Sequence, residues 1–217
     1  MAEKLNYNLL MEQEIERLSK LGEKKRLLLH VCCAPCSTAC LEVLSKHFRV
    51  SVYFDNPNLD SLEEYERRLE EERRFVSKTG LAEEIIAVPY DSSSYYRAIS
   101  GLENEREGGR RCLSCFNLRL EDSASYAKTH NFDYFTTTLT ISPHKNAELL
   151  NNIGRAMGEK YGVKFLPSDF KKKEGFKRSA VLSDEYQLYR QDYCGCIFSK
   201  NEAEERRKNK AAEKPSK

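Results

Sequence analysis

The chain has 217 residues, with 36 Lys and Arg against 34 Asp and Glu and a formal net charge of +2. That length suits one full domain with appendages, and the near balance of charge excludes a global basic field, so any nucleic-acid site must be a local patch. No stretch of 18 apolar residues occurs and the first 18 residues are acidic and polar, which argues against a membrane span or signal peptide and for a cytoplasmic protein.

Taken in order, residues 8–21 carry Leu9, Leu10, Ile15, Leu18 and Leu21 on a roughly 3.6-residue stripe and predict an amphipathic helix capping the core. Leu27, Leu28, Leu29 and Val31 form a short apolar run suited to a strand buried on both faces, ended by Ala34-Pro35. A helix is expected from about residue 37 to 46. The β-branched and aromatic run 48–54 predicts a second strand, closed by the turn-rich Asp55-Asn56-Pro57-Asn58. Residues 62–79 read as a charged helix stopped by Gly80, and 85–89 as a third strand. Asp91 to Ser94 cap a short helix, and 101–109 form a polar, glycine-punctuated loop. A helix over 118–129, a strand over 134–141, a helix over 146–161 stopped by Gly162, and a fifth strand over 163–166 follow. Five strands alternating with helices predict an α/β fold, a parallel five-stranded sheet with helices on both faces and ligands at the carboxyl ends of its strands. Three parts are expected: an N-terminal helical extension over 1–25, an α/β catalytic domain over 26–199 carrying all the cysteines, and a charged C-terminal extension over 200–217, read as a frayed helix or disordered.

Seven of the eight cysteines fall in three tight groups: Cys32, Cys33 and Cys36; Cys112 and Cys115; Cys194 and Cys196. In a reducing compartment such groups point to metal or redox chemistry rather than to a disulfide framework. C-x-x-C spacing brings two Sγ atoms to one side of a turn, where both reach the same metal. Seven thiolates exceed the four needed by one tetrahedral zinc or one cubane cluster. A cluster plus a second metal, or a cluster plus a redox dithiol, would employ the rest, while reactive dithiols without metal and inert buried thiols are the alternatives. Cys40, one turn beyond Cys36 and without a partner at cluster spacing, is expected in the core.

The motifs HVCCAPCS from His30, DNPN from Asp55, RRCLSCFNLRL from Arg110, TTTLTISPHKN from Thr136, SDF from Ser168 and LYRQDYCGCIFS from Leu188 occur in this order. Over about residues 26–199 the chain thereby resembles the cobalamin-independent epoxyqueuosine reductase family, QueH. The resemblance implies a nucleotide alpha-hydrolase-like (HUP/Rossmann-like) fold. It implies the last step of queuosine biosynthesis, reduction of epoxyqueuosine to queuosine in the wobble position of tRNA, with a 4Fe–4S cluster and a further metal, a mononuclear iron or zinc. The loop after the first strand holds cysteines where such folds cradle phosphate with glycines, so ATP use is not expected. Removing an epoxide oxygen to leave an alkene takes two electrons and two protons, and no side chain supplies the electrons. On this reading Cys32, Cys33, Cys112 and Cys115 hold the cluster, Cys36, Cys194 and Cys196 ligate the second metal or form a dithiol, and an external electron donor recharges the site.

Asp55, as proton donor or metal ligand, and Tyr193 and His144, near the substrate, are the further catalytic candidates, each also readable as turn, packing or solvated residue. For the tRNA anticodon stem-loop, Arg110, Arg111 and Arg119 beside the second cysteine pair and Lys171, Lys172 and Lys173 beyond the fifth strand offer cations, or else form a solvated charged face. Two other classes stay open. An iron–sulfur-dependent tRNA sulfur-transfer or thiol-disulfide enzyme would use Cys33 and Cys36 as its pair, and a zinc-stabilised RNA-binding module would need no chemistry.

Overall fold

The computed structural model describes residues 5–212. Five strands lie in one all-parallel sheet in the order β3-β2-β1-β4-β5: β1 (Lys25–His30), β2 (Phe48–Phe54), β3 (Glu84–Ala87), β4 (Tyr134–Thr137) and β5 (Lys164–Phe165). β1 is central because its run of leucines has an apolar partner on each side of the sheet. Leu27 and Leu29 pack with Leu41, Leu44, Leu69 and Phe75 of α2 (Ala34–Leu44) and α3 (Leu62–Thr79). Leu28, one residue out of phase, packs on Ala124 and Ala127 of α5 (Arg110–Thr129). A parallel sheet needs cover on both faces, and the alternation of strand side chains supplies it.

The remaining helices among the described residues are α1 (Tyr7–Ser19), α4 (Ser93–Ala98), α6 (Ala147–Tyr161), α7 (Gly175–Glu185) and α8 (Ile197–Ala212), with a 3₁₀ turn at Thr138–Ile141. α1 contributes Met11, Ile15 and Leu18 to the same core as β1. Ser61 caps α3 by accepting from the Glu64 N–H at 3.2 Å, and Gly80, at φ 64°, closes the helix in the left-handed conformation a Cβ would disfavour.

Apart from shifts of one or two residues at element ends, the structure departs from the sequence expectation in three boundaries and one added helix. α2 starts at Ala34 rather than 37, because Pro35 is preorganised for the first helical turn. α5 starts at Arg110, eight residues before the expected 118, so the second cysteine pair lies on a helix and not in a loop. The fourth strand stops at Thr137, where its hydroxyl accepts from the Leu139 N–H at 3.1 Å and turns the chain into the 3₁₀ turn. α7 falls where the composition announces only a basic stretch. The expected C-terminal extension is helical as far as Ala212, and 213–217 lie outside the described residues.

Candidate metal centre

The sulfurs gather where the parallel strands end. β1 stops at His30 and its last link, the Val31 N–H to the Tyr53 carbonyl at 2.9 Å, carries the chain over the sheet edge. Cys33 is extended (φ −174°, ψ 156°) and its carbonyl accepts from the Cys36 and Ser37 N–H groups at 3.0 and 3.2 Å, opening α2. This turn places the Sγ atoms of Cys32, Cys33 and Cys36 within 4.8 Å of one another, with Cys33 to Cys36 at 3.0 Å and Cys32 to Cys33 at 3.8 Å. The helix N-terminus favours negative charge there. Cys33 and Cys36 share their protons with Cys32, so Cys32 is held well below the usual thiol range while Cys33 is pushed up to about 12 and Cys36 well above its ordinary value. One thiolate shared by three sulfurs is a ready acceptor for a metal ion. Cys40, fully buried, donates its S–H to the Cys36 carbonyl at 3.3 Å and belongs to the core.

The other four thiols come from two places far apart in sequence. Cys112 and Cys115 sit one turn apart at the start of α5; burial raises both, Cys115 to about 12, and both feel Cys194 and Cys196. The Gly108 N–H donates to Cys112 Sγ at 3.2 Å and the Ser199 N–H to Cys196 Sγ at 3.4 Å. Gly195 between the last pair has φ 135°, and a Cβ there would meet Leu59 Cδ2 at 2.6 Å and Arg68 Nη1 at 3.1 Å. Only glycine lets this loop press against the DNPN turn and α3, where Gly195 accepts from the Asp60 N–H at 3.0 Å. Cys36 therefore stands with Cys32 and Cys33 in space, because the loop after β1 closes within a single turn, and shares Lys145 as a neighbouring cation with Cys194.

Three cations face these sulfurs. Arg68, 1% exposed, is paired with Glu64 at 2.6 Å, donates to the Cys194 carbonyl at 3.3 Å and feels Cys33 and Cys32. Arg119, 0% exposed, donates from Nε to His30 Nε2 at 3.2 Å and from Nη2 to Asn56 Oδ1 at 2.5 Å. Since an arginine only donates, His30 Nε2 is the acceptor, and its proton sits on Nδ1, 2.9 Å from Thr137 Oγ1. Burial and then Arg119 push His30 down to about 3, so it is neutral. Lys145 loses charge stability to burial but more than regains it from Cys194, Cys32 and Cys36, which raise it. Beneath α2, fully buried Glu72 accepts from Ser37 Oγ at 2.8 Å and burial pushes it up to about 8.

The candidates named from sequence are distributed unevenly. Asp55 is 8% exposed and accepts from Tyr53 at 3.3 Å, and burial raises it. It lines a cleft of about 430 Å³ with Asp91 and Asp122. Tyr193 is committed to Asp60 at 3.0 Å. His144 is exposed on its loop, and its neighbour Lys145 is the residue that reaches the sulfurs. Arg111 is removed from any RNA surface: it is 2% exposed, pairs with Glu202 at 3.1 Å and lies 4.5 Å over the Phe198 ring. Arg119 is likewise internal. Lys171 is held by Asp169 at 2.7 Å and Lys173 by Glu12, Arg110 is exposed beside Glu105 at 3.3 Å, and Lys172 is exposed with no carboxylate partner among the described residues.

The donor set fits metal chemistry. Tetrahedral thiolate ligation at about 2.3 Å spaces sulfurs about 3.8 Å apart, the spacing of Cys32 and Cys33, while Cys33 and Cys36 are closer, at 3.0 Å, and all three lie within 4.8 Å. Cys112 and Cys115 each lie in electrostatic reach of Cys194 and Cys196, without the close convergence of the triad.

The family profile described as "Epoxyqueuosine reductase QueH" matches residues 27–202. Relatives named epoxyqueuosine reductase QueH include one from Streptococcus pyogenes serotype M1, 43% identical over 201 residues, covering 91% of this chain and 79% of the relative. One from Staphylococcus epidermidis is 41% identical over 203 residues, with 91% and 85% covered, and one from Thermotoga maritima 36% identical over 189 residues, with 83% and 93% covered. The chain belongs to the epoxyqueuosine reductase QueH family.

Proposed function

From that membership we propose that the chain is an oxidoreductase that converts epoxyqueuosine to queuosine in tRNA, the last step of queuosine biosynthesis, in the cytoplasm. The observation that carries the chemistry is the Cys32, Cys33 and Cys36 triad at the carboxyl edge of the sheet, with buried Arg119 and Lys145 in electrostatic reach of it and of Cys194. The overall change consumes two electrons and two protons and releases the epoxide oxygen as water. We assign Cys112, Cys115, Cys194 and Cys196 to a 4Fe–4S cluster, and Cys32, Cys33 and Cys36 would hold a second metal, iron or zinc. When bound, these groups supply the electrons and a Lewis acid for the epoxide oxygen.

The protein's own groups do the rest. Lys145 keeps a proton and a positive charge beside Cys36 and Cys194. Glu72 keeps the base of α2 neutral, Arg68 fixes the loop of Cys194 through its carbonyl, and Gly195 lets that loop close. Lys172 and Arg110 remain as cations for the tRNA backbone, with Lys171 and Lys173 available on exchange of their carboxylates. The electron donor is external. No described helix is long and apolar enough to cross a membrane.

The test is anaerobic incubation of the iron-loaded protein with epoxyqueuosine-containing tRNA and a reductant, with nucleoside analysis of the digest. Queuosine is the expected product. A thiolated nucleoside would replace this reading by sulfur transfer, and unchanged substrate with a protein carrying zinc alone would replace it by a zinc-stabilised RNA binder.

A further inference from the structure

The chain buries three arginines in or beside the sulfur site, and they are not equivalent. Arg68 has Glu64 at 2.6 Å and Arg111 has Glu202 at 3.1 Å. Arg119 has no carboxylate within 4.0 Å among the described residues, yet it is 0% exposed. A buried guanidinium without a counter-ion is strongly disfavoured. Its two satisfied donors go to neutral groups, the His30 ring and the Asn56 amide, and its third nitrogen, Nη1, has no acceptor. The carboxylate of Asp55 is in electrostatic range but is bonded by Tyr53 instead. The remaining anions in reach are sulfurs: Cys115 one helical turn earlier, Cys194 from the loop before α8, and Cys32 from the loop after β1. Arg119 thus feels sulfurs of both sets, and with no carboxylate bonded to it they are the anions that compensate its charge when ionised or metal-bound.

We propose that Arg119 is the fixed counter-charge of the sulfur site, clamped by His30 and Asn56 with Nη1 left unpaired, and that it raises the reduction potential of the cluster the sulfurs hold. It is a positioning residue acting through the sulfurs. Positive charge and N–H donors beside cluster sulfur stabilise the reduced state, which carries one more negative charge. The neutral amide of Asn56 matters for the same reason, since a carboxylate there would cancel the guanidinium. This inference rests on the cluster assignment above.

The test is the midpoint potential of the iron-loaded protein by optical or EPR-monitored titration, with iron and acid-labile sulfide measured on each sample. Arg119→Gln and Asn56→Asp are each expected to disfavour the reduced cluster at least tenfold, a fall of about 59 mV for one electron. Arg119→Lys, which keeps the charge, loses less than half of that. Unchanged potentials in sulfide-containing Arg119→Gln and Asn56→Asp proteins overturn the inference and leave the cluster assignment standing. Wild-type protein without acid-labile sulfide overturns both. Should neither variant load iron, pulsed EPR of the reduced wild-type protein labelled with arginine nitrogen-15 decides: a hyperfine coupling to guanidinium nitrogen supports the contact, and its absence removes it.

Discussion

The two sulfur sets are built in opposite ways. The triad of Cys32, Cys33 and Cys36 comes from five consecutive residues whose geometry follows from a strand end, a proline and a helix start. The quartet joins the first turns of α5 to a loop almost at the end of the chain, and it depends on tertiary links: Arg111 to Glu202, Arg68 to the Cys194 carbonyl, and the close approach at Gly195. The first set is a local property of the chain and the second a property of how helices dock. Damage to one therefore need not damage the other.

The largest effects test that independence directly. Cys33→Ala should cut turnover more than ~100-fold, beyond the usual cost of disturbing a ligand's supporting contacts, while acid-labile sulfide stays. Cys115→Ala should cut turnover as far and lose the sulfide while one metal stays. Loss of all metal in both variants would break the distinction.

Next comes the docking of α8. Glu202→Ala leaves Arg111, 2% exposed, without its carboxylate, at a cost of roughly 1–3 kcal/mol because Glu202 itself is partly exposed. Chemical denaturation should show that loss, and iron analysis should show depletion of the cluster with the triad metal retained.

The triad has its own dependence on pH. Glu72 beneath α2 is held up to about 8 by burial, above the usual carboxylate value of 4.5. A raised acid binds its proton more tightly in the folded chain, so its contribution is complete below about pH 4.5 and is lost as the pH rises towards 8. Metal-free wild-type protein should lose on the order of 4 kcal/mol across that window from this group, and Glu72→Gln should flatten the slope. Equal slopes in urea melts between pH 5 and 8 would contradict the buried neutral acid. The smallest effect lies outside both sets. Lys172→Glu should weaken tRNA binding a few-fold and reduce the salt slope by about 1, whereas Lys173→Glu, already offset by Glu12, should change binding less.

Much of this organisation is legible in the sequence, for local reasons. The leucine run of β1 and the C-x-x-C spacing carry their own geometry, and Gly80 and Gly162 mark helix ends by the conformations they adopt. What escapes reading is tertiary. The polar run before Leu118 conceals that α5 begins at Arg110; with that start known, Arg119 falls four residues after Cys115, on the same helix face, and reads as a sulfur neighbour rather than an RNA contact. The run from Thr136 to Ile141 has strand composition throughout, and only the hydroxyl of Thr137 capturing a local N–H ends the strand early. α7 hides behind lysines because Lys173 and Glu174 enter it with positive φ, at 50° and 59°, a conformation that composition does not announce.

The placement of the triad in the first βαβ unit also makes chain order a timetable. β1, α2 and β2 are complete by Phe54, so a nascent chain can form the triad turn while Cys196 has yet to be made. At 5–20 residues per second that interval is roughly 10–30 s. Under the assignment proposed above, maturation then has a built-in sequence, in which the three-sulfur turn would be ready for its metal first and the four-cysteine site would be complete only when the last helix arrives.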